Sequence, residues 1–456
     1  MDRDQEEVMS RNLVINSGLI CMLLFILLAV SGQQTKETTE KNPPLTFEEL
    51  RKIVQEIDKR ALAVRERGNV LTLLDALRSW EAEYAARGAA ARSAIAARIL
   101  TVAPEVGNYA EALRYADLAY GATAMGRLAT ADELEGYKPV DALEEMARAA
   151  AGVQVVMINE AHHVPQHRAF TLALLKMLRR SGFTHFATET LYETDNQLNA
   201  RGYPTAQTGY YTGEPVYAEL IRTALKLGFR VVAYEVQGAK NSDERERGQA
   251  RNLIERILKN APQAKILVHA GYAHIDEKGA DRVGAATMAQ RFREATGIDP
   301  LTIEQTEMSE RGAREFEHPL YRDVVARGLV SRPTVFRNAR GEYWMQESGR
   351  HDVTLFHRRS RPLNREAGGR PDWLRLGGSR SPYRLPKNVC GIAPRCLARA
   401  RSAREGADAI PIDQLEVLAE RPASALMLPA GEFLIEVQDP EGKPITSFRV
   451  RNVKPE

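Results

Sequence analysis

The chain has 456 residues, 63 Lys+Arg against 60 Asp+Glu, and a formal charge of +3. That length suggests two or three domains, and a composition 44% hydrophobic and 27% charged is that of a globular protein able to bury a core. So small a net charge gives no reason to expect a nucleic-acid partner, and the arginine-dense run "HRRSRPLNR" reads as a solvated surface.

In chain order, the first feature is the apolar stretch "LVINSGLICMLLFILLAVSG", Leu13 to Gly32. Its core, Leu19 to Val30, has the length of a signal-peptide core and is short for a membrane span. Ala29 and Ser31 occupy the −3 and −1 positions of a cleavage site before Gly32. Residues 1–31 are therefore expected to be a signal peptide, with an uncleaved anchor as the alternative. Either way the bulk of the chain is expected to be exported, periplasmic or secreted. The acidic "MDRDQEEV" is unlike a signal leader, whereas "MSRNLVIN" from Met9 carries the expected charge, so Met1 and Met9 are both candidate starts. Cys21 lacks a lipobox leucine upstream, which disfavours a lipoprotein.

Residues 45–135 are rich in Ala, Leu, Glu and Arg with helical periodicity. "GNYAEALRYADLAYG", Gly107 to Gly121, has the spacing of a single tetratricopeptide-type (TPR-like) hairpin. A small helical domain is expected, a possible lid or surface for a protein partner. From residue 136 to about 360, short apolar runs alternate with amphipathic helices. The expected strands are "VQVVMIN", "THFATETL", "RVVAYEV", "AKILVHAGYAHI" and "PLTIEQTE". The pattern predicts an α/β fold with a mainly parallel sheet flanked by helices. "PTVFRN" and "DVTLFH" read as additional strands. Residues 361–456 are expected to be a linker, rich in Gly, Pro and Arg, and a small β-rich appendage ending in a hairpin that turns at "DPEGKP". Cys390 and Cys396 in "CGIAPRC" are expected to form a disulfide in an oxidising compartment.

In a parallel sheet the ligand site lies beyond the carboxyl ends of the strands. Here those ends carry Glu160, His162 and His163 after the first strand, Glu189 after the second, Glu235 after the third, and His269 with His274 at the fourth. An unpaired carboxylate at a buried strand end is costly, so four successive ends of this kind point to a functional edge. His162 and His163 lie in the turn before a helix start marked by Pro165, where the helix dipole disfavours the cation and favours a neutral general base. A neighbouring Glu would fix the tautomer and stabilise the imidazolium. Arg168 could bind a carboxylate or an oxyanion. His167 reads as a residue of the solvated helix face, and His185 begins a strand at the far edge of the sheet. There is no Gly-x-Ser-x-Gly elbow, phosphate loop or Gly-x-Gly-x-x-Gly turn, which argues against a serine hydrolase, an NTPase and a dinucleotide enzyme.

The motifs "NEAHH", "ATETL" and "HAGYAHI", with the helix "RERGQARNLIERI", resemble those of the erythromycin esterase-like superfamily, which has relatives among the ChaN-type haem-binding lipoproteins and the Tiki/TraB proteases. The resemblance covers roughly residues 140–308, with one departure: Asn159 stands where the family usually has Gly. It implies an exported hydrolase using water activated by His and Glu on an ester, lactone or amide of a small-molecule substrate. His163 or His162 would be the base, Glu160 and Glu189 its orienting groups, and His274 and His269 would polarise or bind the substrate, with Glu235 and Arg168 nearby. The ChaN relatives imply an alternative, a haem or divalent metal held by residues drawn from His162, His163, His274, Tyr210 and Tyr211. The loop "QTGYYTGEP" that carries the two tyrosines could stack on a porphyrin or be a plain surface loop.

Overall fold

The computed structural model describes residues 46–121, 130–279, 284–364, 367–420 and 424–453. The expected signal peptide lies outside them. Four helices come first: α1 (Phe47–Arg65), α2 (Val70–Ala85), α3 (Ala89–Val102) and α4 (Tyr109–Tyr120). The chain writes their starts locally. Thr46 and Glu49 form a capping box for α1, and the Asn69 side chain accepts the Leu71 and Thr72 amides at the head of α2. Their apolar faces share one core, from Leu50 through Leu77 and Ile95 to Ala119. The TPR-like stretch forms α4 alone, packed on α3.

The central sheet has six strands: β2 (Val155–Glu160), β3 (Phe183–Thr188), β4 (Arg230–Ala233), β5 (Lys265–Gly271), β6 (Leu301–Glu304) and β8 (Val353–Thr354). Their order is β4-β3-β5-β2-β6-β8, and every pairing is parallel. The α/β expectation holds, and β2 lies inside the sheet between β5 and β6. Val155, Val156, Met157 and Ile158 are all fully buried because both faces of β2 are covered; each is worth roughly 1.5–3 kcal/mol. Val156 and Ile158 share a core with α5 (Ala142–Ala149), α6 (Pro165–Arg180) and α7 (Pro215–Lys226). Val155 and Met157 face α8 (Ser242–Leu253) and α9 (Met288–Thr296). This two-sided burial is why the strand reads as a continuous apolar run rather than an alternating one.

The β-rich C-terminal part holds an antiparallel sheet in the order β11 (Asp413–Leu418), β10 (Arg395–Ser402), β13 (Gly431–Gln438), β14 (Pro444–Asn452). Its last hairpin turns at Asp439–Lys443, inside "DPEGKP". "PTVFRN" forms β7 (Thr334–Asn338), which leaves the main sheet and pairs with β1 (Tyr137–Asp141). Ala425–Leu428 (β12) pairs with Ser381–Arg384 (β9), inside the stretch expected to be a linker. Cys390 and Cys396 are disulfide-bonded, with Cα atoms 5.3 Å apart. The C-terminal sheet docks on the helical layer through Asn108 to Glu416 at 2.6 Å and Asn69 to Gln438 at 3.2 Å, and on α7 through Arg222 to Glu405. Among the described residues, no helix is long and apolar enough to cross a membrane.

Candidate active site

β2 ends in Glu160, and α6 begins five residues later with Pro165 at its first turn. The intervening turn delivers His162 back onto the strand end. His162 Nδ1 stands 3.0 Å from Glu160 Oε1. Arg168, one turn into α6 and completely buried, donates from Nε to Glu160 Oε2 at 2.6 Å and from Nη2 to Oε1 at 2.9 Å. The same guanidinium reaches Glu214 at 3.0 Å and the His162 carbonyl at 2.9 Å. Glu214 also caps α7 by accepting the Val216 and Tyr217 amides. Arg168 therefore clamps the turn from beneath. Burial pushes the Glu160 carboxyl up, but Arg168, with His269 and His162 adding to it, outweighs burial and holds it well below the usual carboxylate range.

The other edge of His162 lies over Gly271, the last residue of β5. A Cβ there would stand 2.5 Å from His162 Nε2 and 2.9 Å from Glu189 Oε2. Only glycine lets the imidazole and the carboxylate close onto the backbone together. Glu189 follows β3, accepts the Gly271 amide, and is paired to Arg245 of α8. Arg245 binds Glu235 through Nε at 3.0 Å and Nη2 at 2.6 Å, and its Nη1 is 2.7 Å from His274 Nε2. Against burial, His274 and then Arg245 hold Glu189 well below the usual range.

His274 sits between Glu246, 2.6 Å from Nδ1, and Glu189, 3.5 Å from Nε2. Burial works against its cation and Glu246 lifts it, with Glu189 adding to the lift over the opposition of Arg245, so the pKa rises to about 10. The close Nε2 contact with Arg245 requires a lone pair on Nε2, so the cation is reached only as that contact opens. His269 lies inside β5 rather than past its end, with Nε2 3.7 Å from Glu160 and Nδ1 3.4 Å from Thr188. Burial lowers its pKa to about 4, so it is neutral.

The structure separates the two adjacent histidines. His163 turns away from the Glu160–Glu189 pair toward the Tyr272 hydroxyl at 3.4 Å, with Tyr120 of α4 at 6.1 Å between rings. Burial, and then Arg311, push its pKa down to about 3. His167 is not on a solvated face. It is fully buried, accepts the Ala161 amide on Nδ1 and stacks 4.8 Å from His357, because α6 lies flat against the sheet. His185 is half-buried at the opposite end of the sheet, as expected. The Tyr-rich loop is not a plain surface loop either: Tyr211 stacks on His162 with ring centroids 4.3 Å apart.

Sequence reading picked out the helix "RERGQARNLIERI" as a motif but gave Arg245, Glu246 and Gln249 no role at the site. They form a buried polar stripe on α8, with Asn252 one turn on. A polar stripe at i, i+4, i+7 in a helix that must cover a sheet is the signal that could have found them. Two strained residues, Thr190 (φ 63°) and Tyr272 (φ 44°), flank the site just past β3 and β5. A left-handed tyrosine or β-branched residue is costly, and such strain collects at functional sites. Among the described residues, no group of three or more His, Cys, Asp or Glu is placed to hold a metal ion. The side chains on which a haem reading would draw have protein partners: Tyr210 meets Arg98, Tyr211 covers His162, and His274 lies between Arg245 and Glu246.

No protein-family model matches the chain, and no curated protein does. Among solved structures it is similar to the type III effector HopBA1 at 15% identity, over 40% of this chain and 93% of that one, with a TM-score of 0.28. It is also similar to ChaN of Campylobacter jejuni, described with cofacial haem binding, at 11% identity over 49% and 97%, TM-score 0.32. A third structure, described as bacterial protein toxins, matches at 11% identity over 61% and 53%, TM-score 0.27. These are distant structural similarities and carry no functional argument. The family resemblance rests on the motifs themselves.

Proposed function

We propose that the chain is a hydrolase in which His162, held by Glu160, activates water against an ester, lactone or amide carbonyl of a small-molecule substrate. The observation that carries this reading is the pairing of His162 Nδ1 with an Arg168-clamped carboxylate while Nε2 lies beside Glu189 over Gly271. Glu160 selects the tautomer with a free Nε2 lone pair and stabilises the imidazolium once formed. Water between Nε2 and Glu189 gives its proton to Nε2 as its oxygen bonds to the carbonyl carbon. The tetrahedral intermediate then breaks its C–O or C–N bond, and the imidazolium returns the proton to the leaving group. His274, held between Glu246 and Arg245, supplies positive charge to a substrate oxygen once its contact with Arg245 opens. The disulfide fits an oxidising compartment, in keeping with the export expected from the leader.

The test is a panel of ester, lactone and amide substrates turned over by wild type and by His162→Gln. Hydrolysis that falls in the variant by roughly 10²–10⁴ is expected. Absence of turnover by wild type across the panel, or full turnover by the variant, would sink the proposal.

A further inference from the structure

The helical layer forms one wall of the site. Arg98 of α3 and Asp58 of α1 make an ion pair, both nearly buried, and Arg98 Nη1 donates to the Tyr210 hydroxyl. An ion pair is an expensive way to hold two helices together, since apolar residues of similar volume commonly do it as well or better. What this pair adds is a directed donor at a helix-layer surface. The loop it grips is tied at three further points. The Tyr210 amide donates to the carbonyl of the strained Thr190, at 3.0 Å. Leu191 bridges Gly209 in antiparallel fashion, and a Cβ on Gly209 would stand 2.6 Å from the Thr190 carbonyl. Gly213 lies against Glu105, which follows α3, so closely that a Cβ would stand 2.7 Å from its carboxylate. Tyr210 meets Tyr211 edge-on at 4.8 Å, and Tyr211 lies nearly parallel to the His162 ring, 22° between planes.

We propose that the helical layer is part of the catalytic apparatus: Arg98, locked by Asp58, anchors the Tyr210–Tyr211 loop so that Tyr211 fixes the plane of His162. Arg98 is thus a positioning residue for the proposed base, and the inference rests on the reading of His162 as that base. Glu160 fixes the imidazole at Nδ1 and Tyr272 packs edge-on against the ring at 5.1 Å, which leaves tilt of the ring plane about the Nδ1···Oε1 axis as the remaining freedom. A parallel phenol 4.3 Å away removes it, and misplacing a reacting group by about 1 Å costs on the order of 100-fold in rate.

Two readouts test this, one of them independent of turnover. Tyr210→Phe deletes only the hydroxyl that Arg98 grips and leaves the packing intact; Arg98→Gln removes the donor. Diethyl pyrocarbonate labels accessible neutral imidazoles, and peptide mass spectrometry gives the rate at His162 relative to half-buried His185 in the same sample. In both variants the His162 to His185 ratio is expected to rise several-fold, and kcat to fall by roughly tenfold or more with KM little changed. An unchanged labelling ratio in Tyr210→Phe overturns the anchor, and a raised ratio with unchanged kcat overturns the positioning role. If no substrate is hydrolysed by wild type, the hydrolase reading fails, and the labelling ratio still decides whether the helical layer holds His162.

Discussion

His357 offers the cleanest probe of how the site's turn is held. Its ring lies under that turn, 4.8 Å from His167, and its Nε2 stands 2.9 Å from Gln305 Oε1. Gln305 in turn binds Asn159 at the strand end, through its own amide at 2.8 Å and its side chain at 2.6 Å. Burial first, and then Arg358, push the imidazole from 6.5 down to about 3, so it is neutral in the folded chain. A histidine depressed in this way contributes stability that is complete above its unfolded value and drains away as pH falls toward the folded one. Between about pH 7 and pH 5 the unfolded chain takes up most of one proton that the folded chain refuses, which costs about 2 kcal/mol. His357→Gln keeps a donor for Gln305 and cannot titrate. It should therefore lose about 2 kcal/mol less than wild type over that interval, whatever its stability at neutral pH. Urea unfolding at the two pH values gives the comparison directly, and the other titrating groups cancel in the difference. Parallel loss in the two proteins would refute the claim that this imidazole is held neutral.

Glu160→Gln leaves buried Arg168 with Glu214 as its remaining carboxylate and is expected to cost about 3 kcal/mol by denaturant unfolding; a change near zero would show that the clamp is not under load. Replacing Cys390 and Cys396 by Ser removes a short closed loop and should cost about 2 kcal/mol. Thiol labelling of denatured, unreduced protein should find neither cysteine, and two free thiols would rule the bond out. His185→Gln, at the end of the sheet away from the site, should leave turnover unchanged, which separates site effects from general loss of fold.

The central sheet was legible because its strands are buried on both faces and end in chemistry-bearing residues. β10 was not, and the reason is physical. "RCLARARS" is mostly Ala, Arg and Leu, strong helix formers. Pairing with β11 and β13 turns Cys396, Ala398 and Ala400 inward, and this tertiary context overrides local propensity. β1 was hidden too: "YKPVD" has a proline and two charges in five residues and is only partly buried. Two-residue β8 is too short to have a pattern, although the "DVTLFH" run around it marked the place.

At the site, residue type was legible and partnership was not. The sequence places Glu160, His162 and Glu189 at strand ends but cannot say that each carboxylate is shared with a buried arginine, because Arg168 and Arg245 lie 8 and 56 residues from their partners. Those partnerships decide the electrostatics. Five buried carboxylates, Glu160, Glu189, Glu214, Glu235 and Glu246, face two guanidiniums and the imidazole of His274. Each arginine is divided between two glutamates, so carboxyl groups outnumber their cationic partners in this network, although burial pushes the Glu214 carboxyl up. In the proposed mechanism such a network would stabilise positive charge on His162 as it takes a proton from water, and it would repel an anion approaching the same face. The arrangement suits a base working on a neutral carbonyl and opposes chemistry on a phosphate, which is the distinction that ester, lactone and amide substrates have in common.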